Sequence, residues 1–290
     1  MLMNKVKVIA HRGNFLPEGP IPEVVDKYSI PENTLEAFQR AFKNLWGIET
    51  DIRLAGDGNF VVIHDGDIKR FSDTEGLIDQ MDTSQIKQVS YKTYPQFKIP
   101  TLDELCQLAI NNTGHGQPPF IAFQIKRGTN PDSGLEVGRA VARKMEQYDL
   151  KDSIIFDATL EEAQILHAEF PWLNLSVSVG EANYSPTIYT PSQVLTDEFR
   201  KVFNGIWADE WKKPGSIYSQ EMFEKLRKSY SGRVDVISPE LHYNEDHPLS
   251  KDLEGLKKLW QEISSWGIAD GICTDYPSQL DRLLQSLDKN

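Results

Sequence analysis

The sequence has few cysteines, no long apolar run and no excess of positive charge. Its two cysteines, Cys106 and Cys273, lie far apart, which excludes a disulfide-stapled scaffold and a cysteine-ligated metal cluster. We expect both to be buried thiols. No segment approaches the roughly 20 apolar residues that span a bilayer, and the first residues lack a signal-like apolar run. We therefore expect a cytoplasmic protein without stable membrane insertion.

The net charge limits the kinds of partner that the protein can bind. A formal net charge of −12 disfavours nucleic acid and anionic membrane surfaces, because bulk electrostatics would repel phosphate backbones. A small phosphate-containing substrate needs local positive charge. The content of 39% hydrophobic and 26% charged residues is typical of a soluble globular protein, and 290 residues suffice for one large barrel or two ordinary domains.

The most informative stretch runs from Trp46 to Asp65 (WGIETDIRLAGDGNFVVIHD). Glu49 and Asp51 are two residues apart on a strand-like run, so their side chains point to the same face. Two adjacent carboxylates repel unless something positive lies between them, and a divalent cation such as Mg²⁺ or Ca²⁺ meets that need.

The dipeptide Asp57-Gly58 is a strong hairpin signal, and it predicts that the chain reverses and brings His64 back close to the level of Glu49. A metal and an imidazole within reach of each other would form a plausible reaction centre. An ordinary surface hairpin with an acidic edge fits this stretch equally well. The stretch alone does not separate the two interpretations.

Strand and helix patterns alternate along the rest of the chain. The hairpin arm that carries His64 cannot be a separate parallel strand, because parallel neighbours need a crossover of a dozen or more residues. Without that arm, eight strands are predicted, most of them followed by a helix, at 5–10, 47–53, 120–126, 153–157, 173–179, 205–209, 234–238 and 270–274. This pattern predicts an α/β fold, a (β/α)8 TIM barrel with an extra hairpin, as one domain over residues 1–290; a doubly wound open sheet is the alternative.

Active sites of such barrels lie at the C-terminal ends of the strands. Six candidate residues are predicted there: His11, Arg12, Glu49, Asp51, Gln124 and Lys126. Glu210 is also at a predicted strand end, where it either lines the pocket or pairs with a nearby basic group. Three other histidines, His115, His167 and His247, are predicted to be surface residues.

These motifs together resemble the glycerophosphodiester phosphodiesterase family, a group of phospholipase-C-like phosphodiesterases that share a (β/α)8 barrel. The matching pieces follow the family's order: His11-Arg12-Gly13, Pro31-Glu32-Asn33-Thr34, Glu49-x-Asp51, Asp57-Gly58, His64-Asp65, Pro100-Thr101-Leu102-x-Glu104, Ile125-Lys126 and Thr274-Asp275-Tyr276-Pro277.

The resemblance implies metal-assisted cleavage of a phosphodiester, with His11 and His64 as the acid/base pair. It implies Mg²⁺ or Ca²⁺ on Glu49, Asp51 and a third residue that is glutamate in the family and Gln124 here. A glutamine oxygen can bind a hard cation but brings no charge, so we expect lower metal affinity or a different preferred ion. The long segment between His11 and Pro31 is predicted to be a loop that serves as a lid or specificity element.

The leading hypothesis is a metal-dependent hydrolase that converts a glycerophosphodiester to an alcohol and glycerol phosphate. Arg12, with Lys126 and Glu210, would bind the substrate, and Arg12 also belongs to the catalytic set because a guanidinium can form paired hydrogen bonds to phosphate oxygens. A barrel that binds a phosphorylated polyol without cleaving it, and a lyase that stops at a cyclic phosphate, are the alternatives. The sequence leaves the alcohol, the metal and the oligomeric state open.

Overall fold

A computed structural model describes residues 5–13, 30–92, 94–114, 116–130, 132–245 and 247–289. The described chain divides into two compact units. The N-terminal unit holds the described residues between 11 and 173, and the C-terminal unit holds residues 5–10 and those from 174 onward. The predicted loop between His11 and Pro31 lies almost entirely outside the described residues. The single domain over 1–290 stays a prediction.

Ten strands and ten α-helices occur in the described residues. The strands are β1 (Lys7–Ala10), β2 (Gly47–Leu54), β3 (Phe60–Val62), β4 (Ile121–Ile125), β5 (Ile154–Phe156), β6 (Ser176–Val179), β7 (Ile188–Tyr189), β8 (Gly205–Ala208), β9 (Val234–Ile237) and β10 (Gly271–Thr274). The helices are α1 (Leu35–Lys43), α2 (Thr83–Ile86), α3 (Leu102–Ile110), α4 (Ser133–Gln147), α5 (Leu160–Glu169), α6 (Pro191–Val194), α7 (Asp197–Arg200), α8 (Gln220–Ser229), α9 (Leu253–Ser265) and α10 (Pro277–Leu287). Short 3₁₀ turns cover His11–Gly13, Ile78–Gln80 and Pro239–Glu245.

All eight predicted strands are present, with ends that differ by up to three residues; the strand predicted to start at Leu173 begins at Ser176. The short strand β7 was not predicted. In the N-terminal unit β2, β4 and β5 are parallel neighbours. In the C-terminal unit the parallel strands follow the order β1-β10-β9-β8-β6-β7. No helix in the described residues is long and apolar enough to cross a bilayer.

Local sequence explains where the helices start. Thr34 caps α1 by accepting the N–H of Ala37 at 3.3 Å. Thr101 and Glu104 form a capping box at the start of α3, in which each side chain accepts the other residue's backbone N–H. The capped starts are followed by the buried residues Ala37 and Phe38 in α1 and Leu102 and Leu105 in α3.

The hairpin formed by β2 and β3 is confirmed. Ile52 pairs with Val62 in antiparallel register, and Gly58 takes the left-handed φ of +81° that the tight turn requires. The segment after the hairpin packs around its own hydrophobic cluster, which we call the hairpin core. Its buried members are Ala55, Val61, Ile63, Ile68, Phe71, Ile78, Ile86, Val89, Tyr91 and Ile99. Ile63 directly before His64 and Ile68 shortly after it both belong to the hairpin core.

Candidate active site

Two of the three predicted metal ligands, Glu49 and Asp51, lie at the centre of a polar cluster in the N-terminal unit. Glu49 and Asp51 on β2 are buried, with 3% and 0% of their surfaces exposed. The carboxylate of Asp51 contacts Arg12 Nε at 3.3 Å and Lys126 Nζ at 3.2 Å. Burial would raise the pKa of Asp51, but the positive charges of Lys126 and Arg12 prevail and hold this pKa far below its usual range.

Glu49 has a different environment from its neighbour. Its Oε2 accepts the backbone N–H of Arg12 at 3.2 Å and lies 3.7 Å from His11 Nε2. Burial, followed by the charge of Asp51, raises the pKa of Glu49 to about 7. Glu49 therefore takes up a proton far more readily than Asp51.

The turn at His11–Gly13 delivers the histidine and the arginine to these carboxylates. Arg12 adopts a left-handed φ of 49°, an uncommon conformation for a residue with a side chain. Asn33, also left-handed at φ 54°, donates its backbone N–H to Arg12 O at 2.9 Å. The side-chain amide of Asn33 donates to Asp51 Oδ2 at 2.8 Å and accepts from Thr50 Oγ1 at 2.9 Å. Backbone strain of this kind persists where surrounding contacts impose it, as they do here.

His64 returns alongside β2 as the hairpin register predicts. The N–H of Ile63 donates to Asp51 O at 3.0 Å, which places His64 level with Thr50, one residue from the predicted level of Glu49. The ring Nδ1 of His64 lies 2.7 Å from Asp65 Oδ1. With Nδ1–H donating to Asp65, Nε2 is the nitrogen that can accept a proton. Burial lowers the pKa of His64, which favours the neutral ring.

Gln124 and Lys126 extend from β4 beside β2. Asp51 is the register partner of Gln124, so the two side chains share one face of the sheet. Gln124 Nε2 donates to Asp157 Oδ2 at 2.5 Å. Asp157, directly after β5, has a left-handed φ of 62°. Since its amide nitrogen is engaged by Asp157, the oxygen of Gln124 is the atom available to a cation.

These residues fit a hard divalent cation through oxygen ligands. In the described part of the chain, no three His, Cys, Asp or Glu side chains are arranged to hold a metal ion. Two carboxylates and one glutamine amide nevertheless form the predicted donor set. Asp51 Oδ1 is a buried oxygen that accepts no hydrogen bond from the described residues, although Lys126 lies 3.2 Å away. A buried, incompletely satisfied carboxylate oxygen is suited to a cation.

Glu210 lies in the C-terminal unit, in the loop after β8. Its carboxylate accepts the backbone N–H groups of Gly215, Ile217 and Tyr218 at 3.0, 2.9 and 3.1 Å. It also lies 3.5 Å from His247 Nε2. These contacts organise the loop, and the substrate role of Glu210 stays a prediction.

The surface prediction for the other histidines is wrong for His247, which is 2% exposed. His167 is half-buried on α5, and His115 lies outside the described residues. Both cysteines are buried thiols, as predicted.

Three residues outside the predicted set of site residues support the site. Arg53 donates from Nε and Nη2 to His64 O at 2.8 and 2.7 Å. Arg70 donates to both Asp65 and Glu32. Asp157 engages Gln124. Arg53 is two residues beyond Asp51 on the same strand face, so strand alternation carried a signal for it, whereas Arg70 follows an irregular segment that carried none.

Comparison with known proteins identifies relatives. The family model of the glycerophosphoryl diester phosphodiesterase family matches residues 26–191. A glycerophosphodiester phosphodiesterase of Caldanaerobacter subterraneus is 30% identical over 161 residues, which are 53% of this chain and 58% of that protein. The chain thus spans little more than half the length of that relative.

Two solved structures resemble the whole chain. A glycerophosphodiester phosphodiesterase from Parabacteroides distasonis matches with a TM-score of 0.68 at 18% identity, covering 98% of this chain and 99% of that one. A phosphodiesterase of Oleispira antarctica, in complex with the product sn-glycerol-3-phosphate, matches with a TM-score of 0.65 at 20% identity, covering 96% of each chain. These likenesses confirm the predicted α/β barrel class. With the family model covering more than half of the residues, the chain belongs to the glycerophosphoryl diester phosphodiesterase family, whose named relatives are phosphoric diester hydrolases.

Proposed function

We propose that the protein hydrolyses a glycerophosphodiester to an alcohol and glycerol phosphate. The observation that carries this proposal is the convergence on Glu49 and Asp51 of a histidine and two cationic side chains. Family membership supports the reaction class. The Oleispira antarctica phosphodiesterase, described with sn-glycerol-3-phosphate as its product, supports the choice of a small glycerol-based substrate.

Arg12 and Lys126 are proposed to bind the phosphoryl group. Both side chains are mostly buried, at 15% and 16% exposure, and both face Asp51. They supply positive charge at this site, although the chain as a whole has a net charge of −12. A guanidinium can donate two parallel hydrogen bonds to the non-bridging oxygens, and an ammonium adds a point charge as negative charge grows in the transition state.

His64 and His11 are proposed as the acid/base pair. Asp65 fixes the ring of His64 through Nδ1, so Nε2 can take a proton from the attacking hydroxyl or water. His11, held close to Glu49, can give a proton to the leaving alkoxide.

Glu49, Asp51 and Gln124 are the residues proposed to hold Mg²⁺ or Ca²⁺. When bound, such a cation polarises a phosphoryl oxygen and offsets its developing charge. The cytoplasmic location and the exclusion of nucleic acid stay predictions from the sequence.

The first test measures hydrolysis of glycerophosphocholine after treatment with EDTA, and then with Mg²⁺, Ca²⁺ or Mn²⁺ added separately. We expect metal-restored turnover, and we expect His11→Ala and His64→Ala to lower kcat by about 10²- to 10⁴-fold, the usual contribution of a positioned proton-transfer group. His167→Ala on α5 is the matched control and should keep wild-type activity. Phosphorus NMR of the product distinguishes hydrolysis from a lyase reaction that ends at a cyclic phosphate.

Unchanged turnover in both site variants would refute the histidine roles. Absence of turnover with every ion, in a folded protein, would refute hydrolysis of this substrate class.

A further inference from the structure

Arg70 joins the two ends of the candidate active site. Its Nε donates to Asp65 Oδ2 at 2.6 Å, and its Nη2 lies 3.1 Å from Asp65 Oδ1. The same guanidinium donates to Glu32 through Nη2 at 2.6 Å and Nη1 at 3.2 Å. One side chain therefore bridges two carboxylates that are 33 positions apart in the sequence.

Each of these carboxylates also contacts a side chain that is proposed to take part in the reaction. Glu32 Oε1 also accepts from Arg12 Nη1 at 3.0 Å. Asp65 Oδ1 bonds to His64 Nδ1 at 2.7 Å. The contacts form one continuous chain, Arg12–Glu32–Arg70–Asp65–His64. A shift of Arg70 would disturb the phosphate-binding guanidinium and the imidazole together.

The surroundings of Arg70 favour a fixed guanidinium. Glu32 is only 3% exposed, and a buried carboxylate without its cations would be strongly destabilised. Arg70 lies over the ring of Phe71, with Cζ 4.1 Å from the ring centroid, and Phe71 belongs to the hairpin core. The bonds to Asp65 and Glu32 outweigh burial and hold the pKa of Arg70 above its ordinary value.

We propose that Arg70 is a positioning residue that sets the relative placement of Arg12 and His64. The inference rests on the proposed phosphodiesterase function, since it assigns Arg70 to the same site. A lysine would not replace it, because a single ammonium cannot form the planar, forked contacts to two carboxylates.

The test compares Arg70→Met and Arg70→Lys with a control of the same kind. Arg139 on α4 forms a two-point ion pair with Glu169 and is exposed to a similar extent, 33% against 36% for Arg70. We expect both Arg70 variants to lose at least about 100-fold in kcat/KM, consistent with misplacement of groups by about an ångström. Arg139→Met should retain wild-type kinetics. Equal activity of the Arg70 and Arg139 variants would overturn the proposal.

Double variants distinguish an effect of Arg70 through Asp65 from an effect through Glu32. If Arg70 acts on His64 through Asp65, the loss of kcat caused by Arg70→Met should shrink in an Asp65→Asn background. If it acts on Arg12 through Glu32, the rise of KM should shrink in a Glu32→Gln background. Fully additive losses in both backgrounds would refute action through these carboxylates.

Two further measurements keep the test decisive if Arg70→Met folds poorly. Added guanidinium should restore part of the activity of Arg70→Ala and none of the activity of His64→Ala. Nitrogen NMR of His64 should show a changed balance of ring tautomers in the Arg70 variants, even if the wild type hydrolyses no phosphodiester. These results separate the two proposals. An inactive wild type would refute the proposed phosphodiesterase function. Unchanged His64 signals in the Arg70 variants, together with no recovery of Arg70→Ala activity by guanidinium, would refute the positioning role of Arg70.

Discussion

Replacing Glu240 with glutamine should alter the pH dependence of stability. Glu240 is 2% exposed and accepts hydrogen bonds from the hydroxyls of Ser238 and Thr274 and from the N–H of Asp275, at 3.1 Å for the last. It thereby joins the ends of β9 and β10. Trp260 adds an indole N–H bond to Ser238 Oγ at 2.7 Å. Burial raises the pKa of Glu240 from 4.5 to about 7 despite these bonds.

The sign and size of the effect follow from linkage. The folded state holds a proton that the unfolded chain has lost, so stability falls as pH rises from 4.5 through about 7. The cost of ionising Glu240 is about 1 kcal/mol at pH 5 and about 3 kcal/mol at pH 8. Wild type should therefore lose about 2 to 3 kcal/mol more than Glu240→Gln between those pH values.

Urea unfolding of both proteins at the two pH values measures this difference. Other ionisable groups contribute equally to wild type and variant, so the comparison isolates Glu240. Glu254→Gln on the exposed side of α9 is the control and should leave the wild-type pH dependence unchanged. Parallel stability curves for wild type and Glu240→Gln would refute the argument that Glu240 is buried with a raised pKa.

Two further predictions concern the candidate active site. Gln124→Glu removes the hydrogen bond to Asp157 and places two carboxylates side by side, where they repel each other. The melting temperature of the metal-free protein should therefore fall. Calorimetry should show tighter binding of Mg²⁺ or Ca²⁺, because the third ligand now carries a charge. Adding Asp157→Asn should restore the melting temperature, and weaker metal binding by Gln124→Glu would contradict its assignment as a ligand. Gly13→Ala should cost about 2 to 4 kcal/mol of stability and lower activity, because Gly13 has φ +81° and a Cβ there would lie 2.5 Å from Phe38 Cδ1. Gly58 has the same φ, and a Cβ added there would have no atom within 4 Å, so Gly58→Ala measures the cost of backbone strain alone. An equal loss of stability in the two variants would contradict the predicted clash with Phe38.

Much of the candidate site could be predicted because its geometry is local. Strand alternation places Glu49 and Asp51 on one face, and the Asp57-Gly58 turn sets the register that returns His64 to the level of Thr50. Helix starts were equally predictable from their caps, as at Thr34. These features depend on residues no more than 15 positions apart, from Glu49 to His64.

Other features depend on contacts between distant segments. The left-handed backbone of Arg12, Asn33 and Asp157 is imposed by partners that no local pattern reveals. His247 is buried against Glu210 from another loop, which is why the prediction of a surface residue was wrong. The roles of Gln124 and Glu210 cannot be decided from spacing, since each depends on which donors and acceptors the fold brings to its side chain.

The sequence by itself determined the strand and helix order, the paired carboxylates and the histidine opposite them, because side-chain periodicity and turn chemistry act over short range. Tertiary structure alone decided that one guanidinium, Arg70, would satisfy Glu32 and Asp65 together. A buried carboxylate is destabilising without a positively charged partner. Arg70 lies beside Glu32 as that partner, and its neighbour Phe71 is packed in the hairpin core.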